Sequence, residues 1–216
     1  MNILISGGAK NGKSDIAERI VRRMMERLHK PLYYVATMMP ADEEDRERIR
    51  VHRMNRAGAG FQTLEAGTRI LRVLDLPRTD PGGIFLVDST TALMANEMFP
   101  AAGSGFDPGA AERVPEELAA FAARTGNTVF VSDQIYEDAR LPEAGRSVPE
   151  PEAAGTAGAA GTAGATSRDL PLPDLTEVYR SALGKADCLL AAECETVLEV
   201  TAGRVKVWKG EFQCDI

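Results

Sequence analysis

A glycine-rich loop near the start of the chain limits the possible folds more than any other stretch. Residues 7–14 read Gly-Gly-Ala-Lys-Asn-Gly-Lys-Ser, and the spacing of Gly7, Gly12, Lys13 and Ser14 fits a phosphate-binding loop. An apolar strand pattern precedes the loop, and a helical pattern of apolar residues follows it. This order predicts a strand that ends in the loop and a helix that begins at Lys13.

The residue types in the loop indicate what it binds. Glycines let successive backbone N–H groups turn inward around an anion, and the helix adds the positive end of its dipole. Lys13 supplies a mobile cation for the outer phosphates, and the Ser14 hydroxyl can ligate Mg²⁺. A glycine turn that precedes a helix by chance is the alternative. The strand, loop and helix in register favour a site for a nucleoside triphosphate.

Composition excludes several classes of function. The chain has 216 residues and a formal net charge of −7, which predicts one domain and argues against nucleic acid as a partner. Its apolar runs are too short to cross a bilayer. The three cysteines form no C-x-x-C pair, which favours ordinary thiols in a reducing compartment. We therefore expect a cytoplasmic protein without a membrane span, and the sequence leaves open whether it forms a homo-oligomer.

Strand and helix patterns alternate along the chain. Strands are predicted at residues 2–6, 32–36, 83–87 and 128–132, and a terminal hairpin at 197–201 and 205–208; helices are predicted at 13–28, 42–56, 67–75, 94–99, 112–124 and 176–190. This order predicts an α/β fold, a mostly parallel sheet flanked by helices with an antiparallel hairpin at its C-terminal edge. Residues 1–216 are expected to form a single P-loop nucleotide-binding domain, with ligands at the carboxyl ends of the strands.

Residues 141–173 break the alternation. The segment is rich in Pro, Gly, Ala and Thr, and it contains the sequence Ala-Ala-Gly-Thr-Ala-Gly twice in succession. It has little bulky apolar surface to bury, so we interpret it as a low-complexity insertion that forms a disordered surface loop. A functional lid is the alternative.

The helix predicted at 42–56 is acidic at its start, from Asp42 onward, and rich in arginine after that. Arg48, His52 and Arg56 are spaced four residues apart and therefore lie on one face. Flanking guanidinium groups disfavour protonation of the histidine and keep its imidazole neutral. A neutral imidazole in a cationic setting can attack a phosphorus atom. A surface histidine on a charged helix is the alternative.

Asp88 follows the apolar run at 84–87. An acid at this place can help to hold Mg²⁺ opposite the phosphate loop. A strand-terminal acid without a ligand is the alternative.

These motifs together resemble the adenosylcobinamide kinase/adenosylcobinamide-phosphate guanylyltransferase family. The resemblance rests on the loop at 7–14, on Tyr-Val-Ala-Thr at 34–37, on the acidic-then-basic helix with its single histidine, and on Val-Asp-Ser-Thr-Thr at 87–91. Glu65, Asn96, the Tyr-Arg-Ser-Ala-Leu-Gly stretch at 179–184 and the terminal hairpin extend it over most of the chain outside the insertion.

The resemblance implies a bifunctional enzyme of cobalamin biosynthesis. Such an enzyme phosphorylates adenosylcobinamide with ATP or GTP, and then transfers GMP from GTP through a guanylylated histidine to give adenosylcobinamide-GDP. It implies His52 as the nucleophile, with Lys13 as the second catalytic residue and Mg²⁺ as cofactor on Ser14 and Asp88. The implied nucleotide-binding residues are Gly7, Gly8, Ala9, Lys10, Asn11, Gly12, Lys13, Ser14, Ala36, Thr37, Met38, Arg53, Met54, Asn55, Arg56, Glu65 and Asp88.

The chain also departs from the family pattern. It reads Ser-Asp-Gln-Ile-Tyr at 132–136, where the family has Asn-Glu-Val-Gly, and Lys185 and Asp187 stand in place of Arg and Asn. Ala57 replaces a proline, and Lys10-Asn11 replaces Arg-Ser. Two other functions therefore stay open: another small-molecule kinase in which His52 only contacts phosphate, and a nucleotide-binding regulatory protein with little turnover.

We predict that deleting residues 149–167 leaves the fold and nucleotide binding nearly intact. The segment has little to bury, and a change in loop length alters the free energy of loop closure by roughly 1 kcal/mol or less. Thermal unfolding of the deletion variant beside the full chain measures the effect. A loss of unfolding free energy well above that scale would show that the segment packs against the domain.

Overall fold

The computed structural model describes residues 1–40, 43–56, 58–100, 105–135 and 175–212. The predicted insertion at 141–173 and the predicted first helical residue Asp42 lie outside the described residues. The strands are β1 (Ile3–Gly7), β2 (Leu32–Ala36), β3 (Phe61–Glu65), β4 (Ile84–Asp88), β5 (Thr128–Val131), β6 (Thr196–Thr201) and β7 (Arg204–Lys209). The helices are α1 (Lys13–Leu28), α2 (Glu43–Arg56), α3 (Thr90–Met98), α4 (Ala110–Thr125) and α5 (Leu175–Glu193), with a 3-10 helix at Ile70–Asp75.

The strands form one sheet in the order β3-β2-β4-β5-β1-β6-β7. All neighbouring strands are parallel except β6 and β7, which are antiparallel. The predicted fold class is thereby confirmed: a mostly parallel sheet of the P-loop NTPase type with helices and an antiparallel C-terminal edge hairpin. Strand β1 lies between β5 and β6, so the loop that follows it begins inside the sheet and not at its edge.

Two apolar clusters cover the two faces of the sheet. Ile3 and Ile5 of β1 pack in the same cluster as buried residues of α1, whereas Leu4 packs in the cluster that includes residues of α4 and α5. Successive side chains of a strand point to opposite faces, so a strand buried on both sides must be apolar throughout. This is why continuous apolar runs identify β1, β2 and β4 in the sequence.

Strand β3 at the sheet edge is absent from the sequence prediction. It pairs in parallel with β2, and of its residues only Leu64 is fully buried. An edge strand with a half-exposed face lacks the continuous apolar run of the central strands. This strand matters for the site, because it ends at Glu65.

The helix predicted at 67–75 is a different element. A short 3-10 helix, Ile70–Asp75, follows Arg69, whose φ of 53° lies in the left-handed region. A left-handed residue cannot continue an α-helical path, so the α-helix cannot extend back to residue 67. Helix α3 begins at Thr90, four residues before its prediction, because the Ser89 hydroxyl caps it by accepting a hydrogen bond from the Ala92 N–H at 3.2 Å.

The terminal hairpin forms as predicted. Ala202 and Gly203 connect β6 to β7 with φ values of 49° and 72°, the left-handed pair typical of a two-residue hairpin turn.

In the described part of the chain, no helix combines the length and the apolar composition that a membrane span requires.

We predict that Gly7→Ala destabilises the protein and displaces the phosphate loop. Gly7 has a φ of 152°, and a Cβ atom there would lie 2.3 Å from the backbone oxygen of Val200 on β6. Strain of this kind costs about 1–3 kcal/mol. Denaturant unfolding measures the loss.

Gly184→Ala is the matched control. Gly184 lies inside α5, and a Cβ atom there would meet no described atom within 4 Å beyond the backbone of its own helix. Its replacement should therefore stabilise the protein by about 0.5–1 kcal/mol. Equal unfolding free energies for the two variants would contradict the close approach of β1 and β6.

Candidate nucleotide-binding site

A cleft of about 450 Å³ opens at the carboxyl ends of the parallel strands. This volume is within the usual range for a small-molecule site. Nine residues predicted for the nucleotide site line it: Lys10, Asn11, Gly12, Lys13, Ser14, Ala36, Met38, Glu65 and Asp88. Seven further residues line it that were not predicted: Asp15, Tyr34, Ile49, Ser89, Ala92, Val131 and Asp133.

The phosphate loop is held open by its backbone geometry. Gly12 caps α1 with a φ of 81°, and Lys10 also has a left-handed φ, 59°. Among the described residues, no side chain caps the N-terminus of α1, so its first N–H groups are left for an anion. On the other side of the loop, the Asn11 side-chain amide donates to the Val200 carbonyl at 3.4 Å. The loop is thus attached to β6 on one side and to α1 on the other.

Lys13 is folded into this loop. Its side chain is 4% exposed, and its Nζ donates to the Gly8 carbonyl at 2.6 Å and to Oδ1 of Asp133 at 2.7 Å. The Asp133 side chain is 30% exposed. Lys13 also lines the cleft, so its ammonium group lies against the backbone of the loop and close to any anion that binds there.

The turn after β5 holds Asp133 in place. The Asp133 N–H donates to the Thr91 hydroxyl at 2.9 Å, and the Gln134 N–H donates to the Gly7 carbonyl at 3.0 Å. Tyr179 of α5 supports this contact by donating from its hydroxyl to the Thr91 carbonyl at 3.1 Å. Burial, with a contribution from the Asp133 carboxylate, raises the pKa of Tyr179 to about 12, so its hydroxyl stays protonated at neutral pH.

Asp88 lies at the end of β4 and is oriented by a neighbour. The Tyr34 hydroxyl donates to its Oδ2 at 3.0 Å. Ser14, at the start of α1, lines the same cleft. A hydroxyl and a carboxylate are oxygen ligands of the type that Mg²⁺ prefers, so these two residues fit a magnesium ion bound together with phosphate oxygens.

The ends of β2, β3 and β4 are tied together behind the cleft. The Asn96 side-chain amide donates to the carbonyls of Thr37 and Gly67 at 2.7 and 2.8 Å. The Thr37 hydroxyl donates to the Ser89 carbonyl at 2.8 Å, and Thr37 is fully buried. Thr37, predicted for the nucleotide site, therefore does not line the cleft. Thr37 instead holds the end of β2 in place, and its neighbours Ala36 and Met38 line the cleft.

Helix α2 borders the cleft through Ile49. Met54, a predicted site residue on this helix, is 60% exposed and does not line the cleft. Two of its arginines are engaged within the helix, Arg46 with Glu43 at 2.9 Å and Arg50 with Glu47 at 2.6 Å. The hydrogen bond from Arg50 lowers the pKa of Glu47. These pairs agree with a stabilised, charged helix surface.

The remaining predicted residues either lie outside the cleft or have side chains that the structure does not describe. His52, Arg53, Asn55 and Arg56 belong to α2, but their side chains are outside the described part of the structure. Gly7, Gly8 and Ala9 do not line the cleft, although the Gly8 carbonyl binds Lys13. Among the residues that the sequence analysis missed, Asp133 had one available signal: it lies just beyond a predicted buried strand, where ligands collect.

Residues 3–143, about two thirds of the chain, match a family model described as cobinamide kinase/cobinamide phosphate guanyltransferase. No curated protein sequence was found to match.

Three solved structures are similar at low identity. Flagellar accessory protein FlaH from Methanocaldococcus jannaschii has 13% identity and a TM-score of 0.45, with 98% of this chain and 81% of that chain covered. KaiC-like protein PH0186 from Pyrococcus horikoshii OT3 has 10% identity and a TM-score of 0.43, with 97% of this chain and 78% of that chain covered. The ATPase domain of G40P has 11% identity and a TM-score of 0.47, with 97% of this chain and 76% of that chain covered. Such distant likenesses say nothing about substrate. The family match covers all the residues that line the cleft, including the phosphate loop, Glu65, Asp88 and Asp133. On this match, the chain belongs to the cobinamide kinase/cobinamide phosphate guanyltransferase family.

Proposed function

We propose that this protein phosphorylates adenosylcobinamide with ATP or GTP, and then transfers GMP from GTP through a guanylylated His52 to give adenosylcobinamide-GDP. Its family is one of enzymes with kinase and guanylyltransferase activity on a cobinamide substrate. The observation that carries the proposal is one cleft lined by the phosphate loop, Asp88 and a residue of the histidine helix. Both reactions need a triphosphate, and this cleft would bind it.

The phosphate loop would bind the triphosphate. Backbone N–H groups of the loop and of the first turn of α1 would surround the phosphates, and Lys13 would contact the outer ones. Ser14 and Asp88 would hold Mg²⁺, which supplies charge neutralisation on the phosphates when it is bound. Ala36, Met38 and Glu65, at the ends of β2 and β3, would contact the rest of the nucleotide.

The kinase step is a displacement at the γ-phosphorus. The acceptor hydroxyl oxygen forms a bond to this phosphorus while the bond to the β-phosphate oxygen breaks, and the nucleoside diphosphate leaves. The loop N–H groups and Lys13 would stabilise the charge on the transferred phosphoryl oxygens, which is the main protein contribution in such reactions.

The guanylyl step would use His52. Position 52 follows Ile49 by three residues, so the two positions lie on the same side of α2, and Ile49 lines the cleft. The imidazole nitrogen would bond to the α-phosphorus of GTP as pyrophosphate leaves, and a phosphate oxygen of the corrinoid phosphate would then displace the histidine. Family membership favours this reading over an unrelated kinase or a binding protein without turnover.

We predict that Lys13→Ala weakens binding of GTP and ATP by roughly 10- to 100-fold and removes the kinase activity. A charged hydrogen bond of this kind contributes about 1.5–3 kcal/mol. Isothermal titration calorimetry measures the affinity. Lys206→Ala on strand β7, outside the cleft, is the control and should bind like the wild type. Unchanged binding in Lys13→Ala would refute the assignment of the loop.

We predict that His52→Ala and His52→Asn abolish labelling of the protein by α-labelled GTP while corrinoid phosphorylation continues, because the kinase step needs no histidine. In the wild type, the adduct should be a phosphoramidate that is labile in acid and stable in base. Denaturing electrophoresis after acid or alkali treatment measures both properties.

His29→Asn is the matched control for this experiment. His29 is the other histidine of the chain and caps α1 with a left-handed φ of 54°, a conformation that asparagine tolerates. The His29→Asn variant should be labelled by α-labelled GTP to the same extent as the wild type. Undiminished labelling of both His52 variants, or an adduct stable in acid and labile in alkali, would return His52 to the role of a surface residue.

A further inference from the structure

The Asp133 carboxylate lines the cleft and has no role in the two reactions as described above. Its Oδ1 accepts from Lys13 Nζ at 2.7 Å, and the side chain lines the cleft with 30% of its surface exposed. Oδ2 has no hydrogen-bond partner among the described residues. One carboxylate oxygen is therefore held beside the phosphate loop by Lys13.

The position of this carboxylate is fixed by its backbone on both sides. The Ser132 N–H donates to the Ile5 carbonyl at 2.9 Å and the Gln134 N–H donates to the Gly7 carbonyl at 3.0 Å. The Asp133 N–H itself donates to the Thr91 hydroxyl. The turn is thus hydrogen-bonded to the same strand that carries the phosphate loop, which fixes Asp133 relative to the loop.

A carboxylate at this place disfavours binding of a polyanion, because like charges repel. The neighbouring acid Asp88 has a different setting, since it is oriented by Tyr34 and fits a magnesium ion together with Ser14. Asp133 instead faces the ammonium group of Lys13. Asp88 therefore suits the role of a metal ligand. Asp133 lies beside the cation that would contact the outer phosphates, which suits a different role.

The ion pair also makes Asp133 responsive to nucleotide. The Lys13 ammonium group pairs with the carboxylate and donates to its Oδ1. A Lys side chain has three donors, of which Gly8 takes one and Asp133 a second, so outer phosphates that accept two hydrogen bonds from the ammonium group would displace Asp133. Transfer of Lys13 to the phosphates would release the carboxylate next to the γ-phosphate.

We propose that Asp133 is the general base of the kinase step, and that Lys13 blocks it until a triphosphate is bound. This rests on the proposed kinase function. The corrinoid hydroxyl gives its proton to a carboxylate oxygen of Asp133 as its own oxygen bonds to the γ-phosphorus and the bond to the β-phosphate oxygen breaks. The products are the corrinoid phosphate, a nucleoside diphosphate and protonated Asp133, which then returns its proton to water.

Asp133→Asn tests the proposal, because it keeps the shape of the side chain and removes the proton acceptor. Phosphorylation of adenosylcobinamide by γ-labelled ATP is measured at saturating substrates, and nucleotide affinity by calorimetry with a non-hydrolysable ATP analogue. We expect kcat to fall by about 100-fold or more, the scale for loss of a general base. We expect the analogue to bind as tightly as in the wild type or more tightly, because Lys13 no longer has a competing carboxylate.

Two further variants complete the comparison. Asp133→Glu keeps a carboxylate, so its kcat should be at least tenfold higher than that of Asp133→Asn. Asp75→Asn is the control for removing an acid: Asp75 is 72% exposed, pairs with Arg124 at 3.7 Å and does not line the cleft, so its kcat should match the wild type. Labelling of His52 by α-labelled GTP should persist in Asp133→Asn, because that reaction involves no acceptor hydroxyl.

The possible outcomes separate the proposals. A kcat for Asp133→Asn within fivefold of the wild type overturns the general base. Parallel losses of kcat, analogue affinity and His52 labelling also overturn it, because they would assign Asp133 to the shape of the loop. If the wild-type protein transfers no phosphate to adenosylcobinamide, the proposed kinase function and the general base are both overturned. Measuring the wild type beside the variants distinguishes this case from a failure of the general base alone.

Discussion

The pairing of β1 with β5 on one side and β6 on the other is the constraint on which the site depends. Gly7, at the end of β1, is in register with Val200 of β6, and its carbonyl accepts from Gln134 after β5. The phosphate loop therefore leaves the sheet from a fixed point between two neighbours. A loop of glycines has many conformations available in isolation, and these contacts reduce that freedom before any nucleotide binds.

Electrostatics in the cleft follow from this placement. A site for a polyanion needs positive charge, yet acidic residues, Glu65, Asp88 and Asp133 among them, line it. Asp88 accepts a hydrogen bond from Tyr34, and Asp133 pairs with Lys13. The positive field then comes from the loop N–H groups, the end of α1, and the lysines Lys10 and Lys13. In this arrangement, a bound triphosphate would compete with Asp133 for Lys13.

The sequence predicted the parts of the fold whose burial leaves a pattern. Strands β1, β2 and β4 are apolar throughout because both of their faces are covered, and α1 shows its buried stripe at helical spacing. Strand β3 escaped prediction because an edge strand is half exposed, and the α-helix expected at 67–75 was wrong because Arg69 adopts a left-handed conformation. In the cleft, the phosphate loop, Glu65 and Asp88 were predicted, whereas Tyr34 was seen only as part of a strand motif and its contact with Asp88 was not.

By itself, then, the sequence determined the fold class, the position of the phosphate loop and the family, because each depends on residues close together in the chain. Only the tertiary structure brought Asp133 to Lys13, 120 positions apart, and Tyr34 to Asp88, 54 apart. The physical reason is that parallel strands bring their carboxyl ends together whatever the length of chain between them, and the sheet order that decides which ends are neighbours is not written in any local pattern.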